Sequence, residues 1–89
     1  MKSYNNGLYG SKEAIEMKTA LLDAERLKKS VTFYTRTRHY IDRFRARDTE
    51  NKPFKLSHFT VSGGLIYYKR GGYDWRTLSL DDVKKIEIA

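Results

Sequence analysis

The sequence predicts an α+β fold in which one N-terminal helix packs on a curved antiparallel sheet of roughly four or five strands. Three observations support this prediction. An amphipathic segment covers residues 11–30, β-branched and aromatic residues dominate from Val31 onward, and glycine pairs separate the later apolar segments. Glycine pairs supply the backbone angles that tight hairpins need. A strand, a helical turn and a short closing strand at the C-terminus are typical of a small SH3-like or PH-like barrel.

The helix is predicted from the segment SKEAIEMKTALLDAERLKKS, residues 11–30. Ser11 can cap its N-terminus by accepting a hydrogen bond from a backbone N–H. One helical stripe is apolar and would face the sheet; it comprises Ala14, Met17, Leu21 and Ala24, and it is widened by Ile15, Leu22 and Leu27. The alternative is a dimer that pairs two such helices. Residues 1–10 are polar and predict a flexible leader or a small turn, and residues 11–89 are predicted to form the single folded domain.

The first predicted strand begins at Val31, where Val31 and Phe33 face inward. It continues into TRTRHYIDRFRAR, whose arginines all share the solvent face only if a β-bulge near Tyr40–Asp42 shifts the alternation by one residue. Without the bulge some arginines would be buried at high cost. A helix over Arg38–Arg47, with a narrow apolar stripe, is the alternative for this segment.

The rest of the chain predicts a meander of short elements separated by turns. The predicted elements are strands at Phe54–Val61, Leu65–Lys69 and Tyr73–Leu80, a helical turn at Asp81–Lys85 capped by Asp81, and a closing strand at Ile86–Ile88. The predicted core comprises Ile15, Leu21, Leu22, Val31, Phe33, Phe44, Leu56, Leu65, Trp75, Leu78, Val83, Ile86 and Ile88.

Composition excludes several classes of function. The chain has 89 residues and no cysteine, so disulfides, thiolate metal sites and thiol catalysis are excluded. No apolar run exceeds about five residues, against about 20 for a membrane span, and we expect a cytoplasmic protein. His39 and His58 lie too far apart for a metal-binding motif, and each is expected to be a partly buried sheet residue. The sequence also contains no nucleotide-binding glycine loop. We therefore expect no metal and no cofactor.

The net charge of +7 is concentrated in one quarter of the chain. Residues 26–47 contain eight basic side chains against the single acid Asp42, and the other ten basic residues are balanced by ten acidic ones. Such asymmetry indicates a polyanionic partner or an acidic protein surface.

The leading prediction is non-enzymatic binding of nucleic acid. Basic residues neutralise phosphates, and exposed aromatic rings stack on unpaired bases. The first group of predicted contact residues, here named the arginine strip, is Arg36, Arg38, Tyr40, Arg43, Arg45 and Arg47. The second group, on the following hairpin beside Trp75, is Tyr67, Lys69, Arg70 and Arg76.

Two alternative functions and one structural explanation compete with this prediction. A small basic domain can dock on an acidic partner protein, as accessory or inhibitor modules of phages and mobile elements do, because arginine, tyrosine and tryptophan are frequent in interface hot spots. A metal-independent ribonuclease toxin could use the arginines of the strip, with His39 and Tyr40 as proton-transfer groups. An exposed strand can also carry arginines simply to remain solvated.

Overall fold

The computed structural model describes residues 1–35, 53–70 and 74–89. These residues form one α-helix, α1 (Lys12–Arg26), and two antiparallel sheets. The four-stranded sheet has the order β1-β7-β2-β3 and the three-stranded sheet the order β4-β5-β6. The strands are β1 (Lys2–Asn5), β2 (Val31–Thr35), β3 (Phe54–Leu56), β4 (Thr60–Ser62), β5 (Leu65–Arg70), β6 (Asp74–Ser79) and β7 (Val83–Ile88).

The predicted α+β class, with an N-terminal helix and antiparallel strands, is confirmed. The prediction of one curved sheet is wrong, because the described strands divide into two sheets and do not close into a barrel. The likeness to an SH3-like or PH-like fold stays a prediction. Among the described residues, the structure contains no helix that is both long and apolar enough to cross a membrane.

Helix α1 begins and ends at local signals. The Ser11 hydroxyl accepts a hydrogen bond from the Ala14 N–H at 3.1 Å, which confirms the predicted N-cap. At the other end, the Lys29 N–H reaches the Ala24 carbonyl at 2.9 Å and the Lys28 N–H reaches the Glu25 carbonyl at 3.1 Å. This is a Schellman motif, and it places Lys28 in the left-handed region with φ of 57°. Glycine is the usual residue at that position, because a Cβ is strained there.

The core lies between α1 and the two sheets. The alternation predicted for β2 is confirmed, since Val31, Phe33 and Thr35 are buried. Phe33 stacks on Phe54 with ring centroids 5.5 Å apart and meets the edge of Phe59 at 5.8 Å. The Phe54 ring in turn lies 6.0 Å from the ring of Tyr68 in β5, so these aromatic rings join the two sheets.

Most predicted core residues are buried, namely Leu21, Val31, Phe33, Leu78, Val83, Ile86 and Ile88. Leu56 and Leu65 are half-buried, and Phe44 lies outside the described residues. Placing Ile15, Leu22 and Trp75 in the core was wrong, because all three are exposed. The helix buries a narrower stripe than predicted, formed by Met17, Leu21 and Ala24. Trp75 lies on the solvent side of its sheet.

Residues 2–5 correct the prediction of a flexible leader. They form β1, which pairs with β7 from Lys2↔Ile88 to Asn5↔Lys85. Asn6 then anchors the chain, because its side-chain amide donates to the carbonyls of Leu80 at 2.9 Å and Val83 at 2.7 Å. The folded unit therefore includes the N-terminal segment, and a polar composition concealed an edge strand.

The segment predicted as one strand, Phe54–Val61, is two strands in different sheets. β3 ends at Leu56 and β4 begins at Thr60. Between them the chain turns so that Phe59 is buried against Phe33. A continuous strand could not direct Phe59 into the aromatic cluster and also pair with both sheets.

The hairpins and the C-terminal elements agree in part with those predicted from the sequence. The predicted turn at Gly63–Gly64 joins β4 to β5, with Gly63 at φ of 62°. The predicted hairpin between β5 and β6 is also present. The helical turn predicted at Asp81–Lys85 is instead a 3-10 helix at Leu80–Asp82, capped by the Ser79 hydroxyl rather than by Asp81.

The last strand has a different place from the one predicted. β7 is longer than Ile86–Ile88 and lies inside the four-stranded sheet, between β1 and β2, instead of closing a barrel edge. The bulge predicted near Tyr40–Asp42 and the alternative helix at Arg38–Arg47 lie outside the described residues.

The strained Lys28 gives a prediction about stability. Lys28→Gly should raise the free energy of unfolding by about 0.5–1 kcal/mol, because removing the Cβ relieves strain that outweighs the added backbone entropy. Lys29→Gly removes the same charge at a position without positive φ, and it should lower stability by about 0.5–1 kcal/mol. Urea unfolding of both variants checks this, and equal losses in the two would contradict it.

Candidate binding groove

The structure describes part of the predicted contact surface. The arginine strip, with Arg36, Arg38, Tyr40, Arg43, Arg45 and Arg47, lies outside the described residues. Arg70 ends β5, and its side chain also lies outside them. The side chains of Tyr67, Lys69 and Arg76 are described and can be placed on the hairpin.

The hairpin β5–β6 divides its predicted contact residues between two faces. Residues directly opposite in an antiparallel pair share a face, and Lys69 lies opposite Trp75. Tyr67 lies on the same face as these two, because it is two residues from Lys69 along the strand. Tyr68 and its partner Arg76 face the other way, where Tyr68 is buried in the core. Tyr67, Lys69 and Trp75 are therefore neighbours on one face and Arg76 lies on the other, while their contact with a ligand stays a prediction.

Trp75 is the most exposed large side chain on this face. Its exposed fraction is 61%. The ammonium of Lys69 lies over the indole, with Nζ 5.0 Å from the ring centroid. This distance is within the range of a cation–π interaction. The pair therefore combines an exposed aromatic ring with a positive charge that lies over it.

A groove of about 610 Å³ begins at this pair and extends to the C-terminal end of α1. Its walls are the end of the helix, the connection between β3 and β4, and the hairpin β5–β6. The polar and aromatic side chains that line it include Lys28, Lys29, His58, Lys69 and Trp75. We call this set the lysine–tryptophan groove. Its volume lies within the range of about 300–1,000 Å³ that ordinary ligand sites occupy.

The Schellman motif of α1 positions two of these lysines. It turns the chain at Lys28 so that Lys28 and Lys29 both border the groove. Cations at a helix C-terminus also interact favourably with the helix dipole. The position of Lys28 nevertheless requires a strained backbone angle, and strain that glycine would relieve is often found at functional positions.

The acidic residue that borders the groove already has a role in the fold. Glu25 Oε1 accepts a hydrogen bond from the backbone N–H of Val61 at 2.8 Å. Val61 belongs to β4, an edge strand of the three-stranded sheet. Glu25 thus covers part of that edge and fixes α1 to it. Lys28, Lys29 and Lys69 outnumber this carboxylate, so the groove favours an anionic ligand.

His58 is exposed in the connection between β3 and β4 and borders the same groove. Predicting it as a partly buried sheet histidine was wrong, because the strand predicted at Phe54–Val61 is interrupted here. An imidazole beside lysines can donate hydrogen bonds to an anionic ligand. His39, the other histidine, lies outside the described residues.

Sequence reasoning missed Lys28, Lys29 and His58 as site residues. The two lysines lie at the end of the predicted helical segment, residues 11–30, and they also belong to the basic quarter of the chain. That concentration of charge was the one signal that could have drawn attention to them. No sequence signal showed that burying Phe59 would turn its neighbour His58 toward the helix end.

A second polar cluster lies on the solvent face of the four-stranded sheet, and its members bind one another. The Tyr34 hydroxyl donates to Glu87 Oε1 at 2.7 Å, and Lys85 Nζ lies 3.7 Å from Glu87 Oε2. Lys85 Nζ also lies 4.5 Å from the centroid of the Tyr34 ring. The hydrogen bond from Tyr34 is the main cause that lowers the pKa of Glu87, and Lys85 adds to it. The same hydrogen bond raises the pKa of Tyr34. Because the charged groups of this cluster interact with one another, the cluster stabilises the sheet surface and is a weaker candidate for ligand binding than the groove.

A third surface is apolar and lies around the start of α1. Leu8 and Tyr9 are 85% and 94% exposed, and Ile15 is exposed beside them. A groove of about 560 Å³ separates this part of the chain from the turn at Gly63–Gly64. Within the described part of the chain, histidine, aspartate and glutamate side chains form no group of three or more that could hold a metal ion.

Comparison with known proteins gives no family for this chain. No protein-family model matches the sequence, and neither the curated proteins nor the solved structures show a significant match.

The polar cluster on the four-stranded sheet gives a prediction about pH. Because the folded-state pKa of Glu87 is lowered, its contribution to stability is present above the unfolded pKa and is lost as the pH falls through the folded pKa. Tyr34→Phe removes the hydroxyl that donates to Glu87, so the pKa of Glu87 should rise toward its ordinary value. An NMR titration of the Glu87 carboxyl carbon measures this change.

Tyr4→Phe is the matched control, because Tyr4 lies opposite Ile86 on the core-facing side of β1. It should leave the pKa of Glu87 unchanged. An unchanged pKa of Glu87 in Tyr34→Phe would contradict the assignment of the hydrogen bond as the main cause.

Proposed function

We propose that this protein binds nucleic acid without catalysis, through the lysine–tryptophan groove together with the arginine strip. The observation that carries the proposal is the groove itself, which is lined by Lys28, Lys29 and Lys69 together with an exposed indole, Trp75. Lysines supply the phosphate contacts that dominate nucleic-acid affinity, and an exposed indole supplies a surface on which bases stack. These are the two components of a binding site for single-stranded nucleic acid.

The charge distribution supports one continuous basic surface. Lys28 and Lys29 belong to the same quarter of the sequence as the arginine strip, and this quarter accounts for the whole net charge of +7. Residues 36–52, which contain the strip, are joined to the described fold at Thr35 and Pro53. Phe54, the next residue after Pro53, packs against Tyr68, the neighbour of Lys69 in β5. The chain that follows the arginine strip therefore rejoins the fold close to the strand that contributes Lys69 to the groove.

Arginine and lysine would have different roles on this surface. Arginine binds a phosphate through two parallel hydrogen bonds and stacks on rings, whereas lysine acts as a mobile point charge. The described groove contributes lysines, and in residues 36–47 every basic side chain apart from His39 is arginine. We infer that the groove holds the phosphate backbone of the nucleic acid loosely and that the arginine strip fixes the position of that backbone.

A protein-directed role is the second candidate, and the exposed apolar surface favours it. Leu8, Tyr9 and Ile15 are exposed near the start of α1, and Tyr9 and Ile15 line the same groove. Docking on an acidic partner would use the same basic groove, so the two candidates differ mainly in how binding depends on salt. For the ribonuclease alternative, the predicted residues Arg36, Arg38, His39, Tyr40 and Arg43 lie outside the described residues.

Three charge variants test the proposal, each removing three positive charges. The groove variant is Lys28→Gln with Lys29→Gln and Lys69→Gln, and the strip variant is Arg36→Gln with Arg38→Gln and Arg43→Gln. The control variant changes exposed lysines elsewhere, namely Lys12, Lys18 and Lys84, to glutamine. Because net charge falls equally in all three, only the position of the charge differs.

The measurement is fluorescence anisotropy with labelled single-stranded DNA and RNA at several salt concentrations. The groove and strip variants should bind about tenfold more weakly or worse, with the salt slope reduced by about 2, since each lost phosphate contact removes about 0.7 for single strands. The control variant should lose less affinity and keep its slope. Equal losses in the groove and control variants would overturn the assignment of the groove. Wild-type protein that fails to bind at low salt would overturn the nucleic-acid function itself.

A further inference from the structure

The exposure of Trp75 is unusual for its place in the fold. It lies within strand β6, directly opposite Lys69, and not in a turn or at a terminus. An indole exposed to 61% forgoes most of the free energy of burial that makes tryptophan a core residue. The sequence predicted it in the core for that reason. An exposed large aromatic ring next to basic side chains is instead typical of a recognition surface.

The strand that carries the ring is paired before any ligand binds. β6 pairs with β5 along its length, from Leu65↔Ser79 to Arg70↔Asp74. The Lys69 ammonium lies 5.0 Å from the centroid of the indole, within the range of a cation–π interaction. Because the backbone of Trp75 is already ordered in a strand, stacking of a flat ligand costs no ordering of the backbone.

The surroundings of the ring define which flat ligand fits. Lys69 lies at the ring itself, and Lys28 and Lys29 border the same groove. A nucleotide offers a flat base and an anionic phosphate linked by a flexible sugar, which matches an aromatic surface bordered by ammonium groups. An aromatic amino acid in a partner protein would match the ring but not the three positive charges that line the groove.

Base stacking decides whether a single or a double strand can use the indole. Inside a duplex both faces of each base are covered by its neighbours in the stack. Away from the duplex ends, a side chain can stack on a base only where the base is unpaired or where the duplex is unstacked at a cost of a few kcal/mol. Trp75 can therefore stack on the bases of a single strand directly, whereas stacking on an internal base of a duplex first requires that the duplex be unstacked.

We infer that Trp75 is the stacking platform for an unpaired base, and that the protein selects single-stranded over double-stranded nucleic acid through this contact. The inference rests on the proposed function and names its substrate class. Lys28, Lys29 and Lys69 bind the phosphates that flank the stacked base. Sequence preference along the strand is weak, because every base has a face on which an indole can stack.

The intrinsic fluorescence of the protein reports on this contact directly, because Trp75 is the only tryptophan in the chain. Excitation at the red edge of the indole band avoids the tyrosines. The probes are a thymidine oligodeoxynucleotide, a uridine oligoribonucleotide, an abasic single-stranded oligodeoxynucleotide and a duplex, all with matched numbers of phosphates. The abasic strand retains the charge and the sugar backbone and lacks only the bases.

The two base-containing single strands should quench the fluorescence of Trp75 and bind about 5- to 150-fold more tightly than the abasic strand, which is the range of one base–aromatic stack. The abasic strand should bind without the quenching that stacking produces. Trp75→Ala should weaken binding of the base-containing strands by the same factor and leave binding of the abasic strand unchanged. The loss of affinity from removing the ring and the loss from removing the bases therefore do not add.

Two further variants act as controls for Trp75→Ala. Trp75→Phe keeps a smaller ring and should retain part of the preference for the base-containing strands. Tyr9→Ala removes an even more exposed aromatic ring near the start of α1 and should change neither affinity nor quenching. Thermal unfolding of each variant shows whether it is folded, and the comparison of probes with wild-type protein does not depend on any variant.

The outcomes separate the inference from the function on which it rests. Equal affinity of the wild-type protein for base-containing and abasic strands, with unquenched Trp75 fluorescence, would overturn the stacking platform and leave phosphate binding by the groove intact. Tighter binding of the duplex than of the single strands would also overturn it. Failure to bind any of the probes at low salt would overturn the proposed function and the inference together.

Discussion

The aromatic cluster around Phe33 is the contact on which the rest of this structure depends. Phe33 in β2 packs against Phe54 and Phe59, and Phe54 packs against Tyr68 of the other sheet. A small chain buries a limited fraction of its surface, so a few large rings supply much of its core. To reach this cluster Phe59 must turn inward, which separates β3 from β4. The same turn leaves the neighbouring His58 exposed at the wall of the groove. The shape of the candidate site therefore follows from the packing of the core.

The opposite wall of the groove reflects a balance between stability and charge. Glu25 fixes the end of α1 to the edge of β4, and the chain then turns at Lys28, where the backbone has a positive φ. Glycine would suit that backbone better, but it would remove a positive charge from the groove. A lysine at a strained position reduces stability locally, and a tryptophan exposed at the surface forgoes the free energy of its burial. Both residues border one groove. Binding of an anionic, base-containing ligand would explain why a strained lysine and an exposed tryptophan are found there together.

Elements of the fold could be predicted from the sequence where neighbouring residues determine the local structure. The Ser11 cap, the alternation from Val31 to Thr35 and the turn at Gly63–Gly64 depend on neighbouring residues, and the structure contains all three. The leader, the division into two sheets and the place of Trp75 depend on which strands pair, which is a tertiary choice. For the candidate site, residue types indicated Lys69 and Trp75 as neighbours, with Trp75 expected in the core. Lys28, Lys29 and His58 reach the groove only through the Schellman turn and the burial of Phe59.

The most direct test of the account is to map the bound surface by NMR, with isotope-labelled protein titrated with a single-stranded oligonucleotide at low salt. The account predicts that the largest shift changes among the described residues fall on Lys28, Lys29, His58, Lys69 and the indole N–H of Trp75. The apolar surface of Leu8, Tyr9 and Ile15 serves as the internal control and should be unaffected. Changes confined to that surface, or an absence of changes at the groove under conditions where the oligonucleotide is bound, would contradict the central claim.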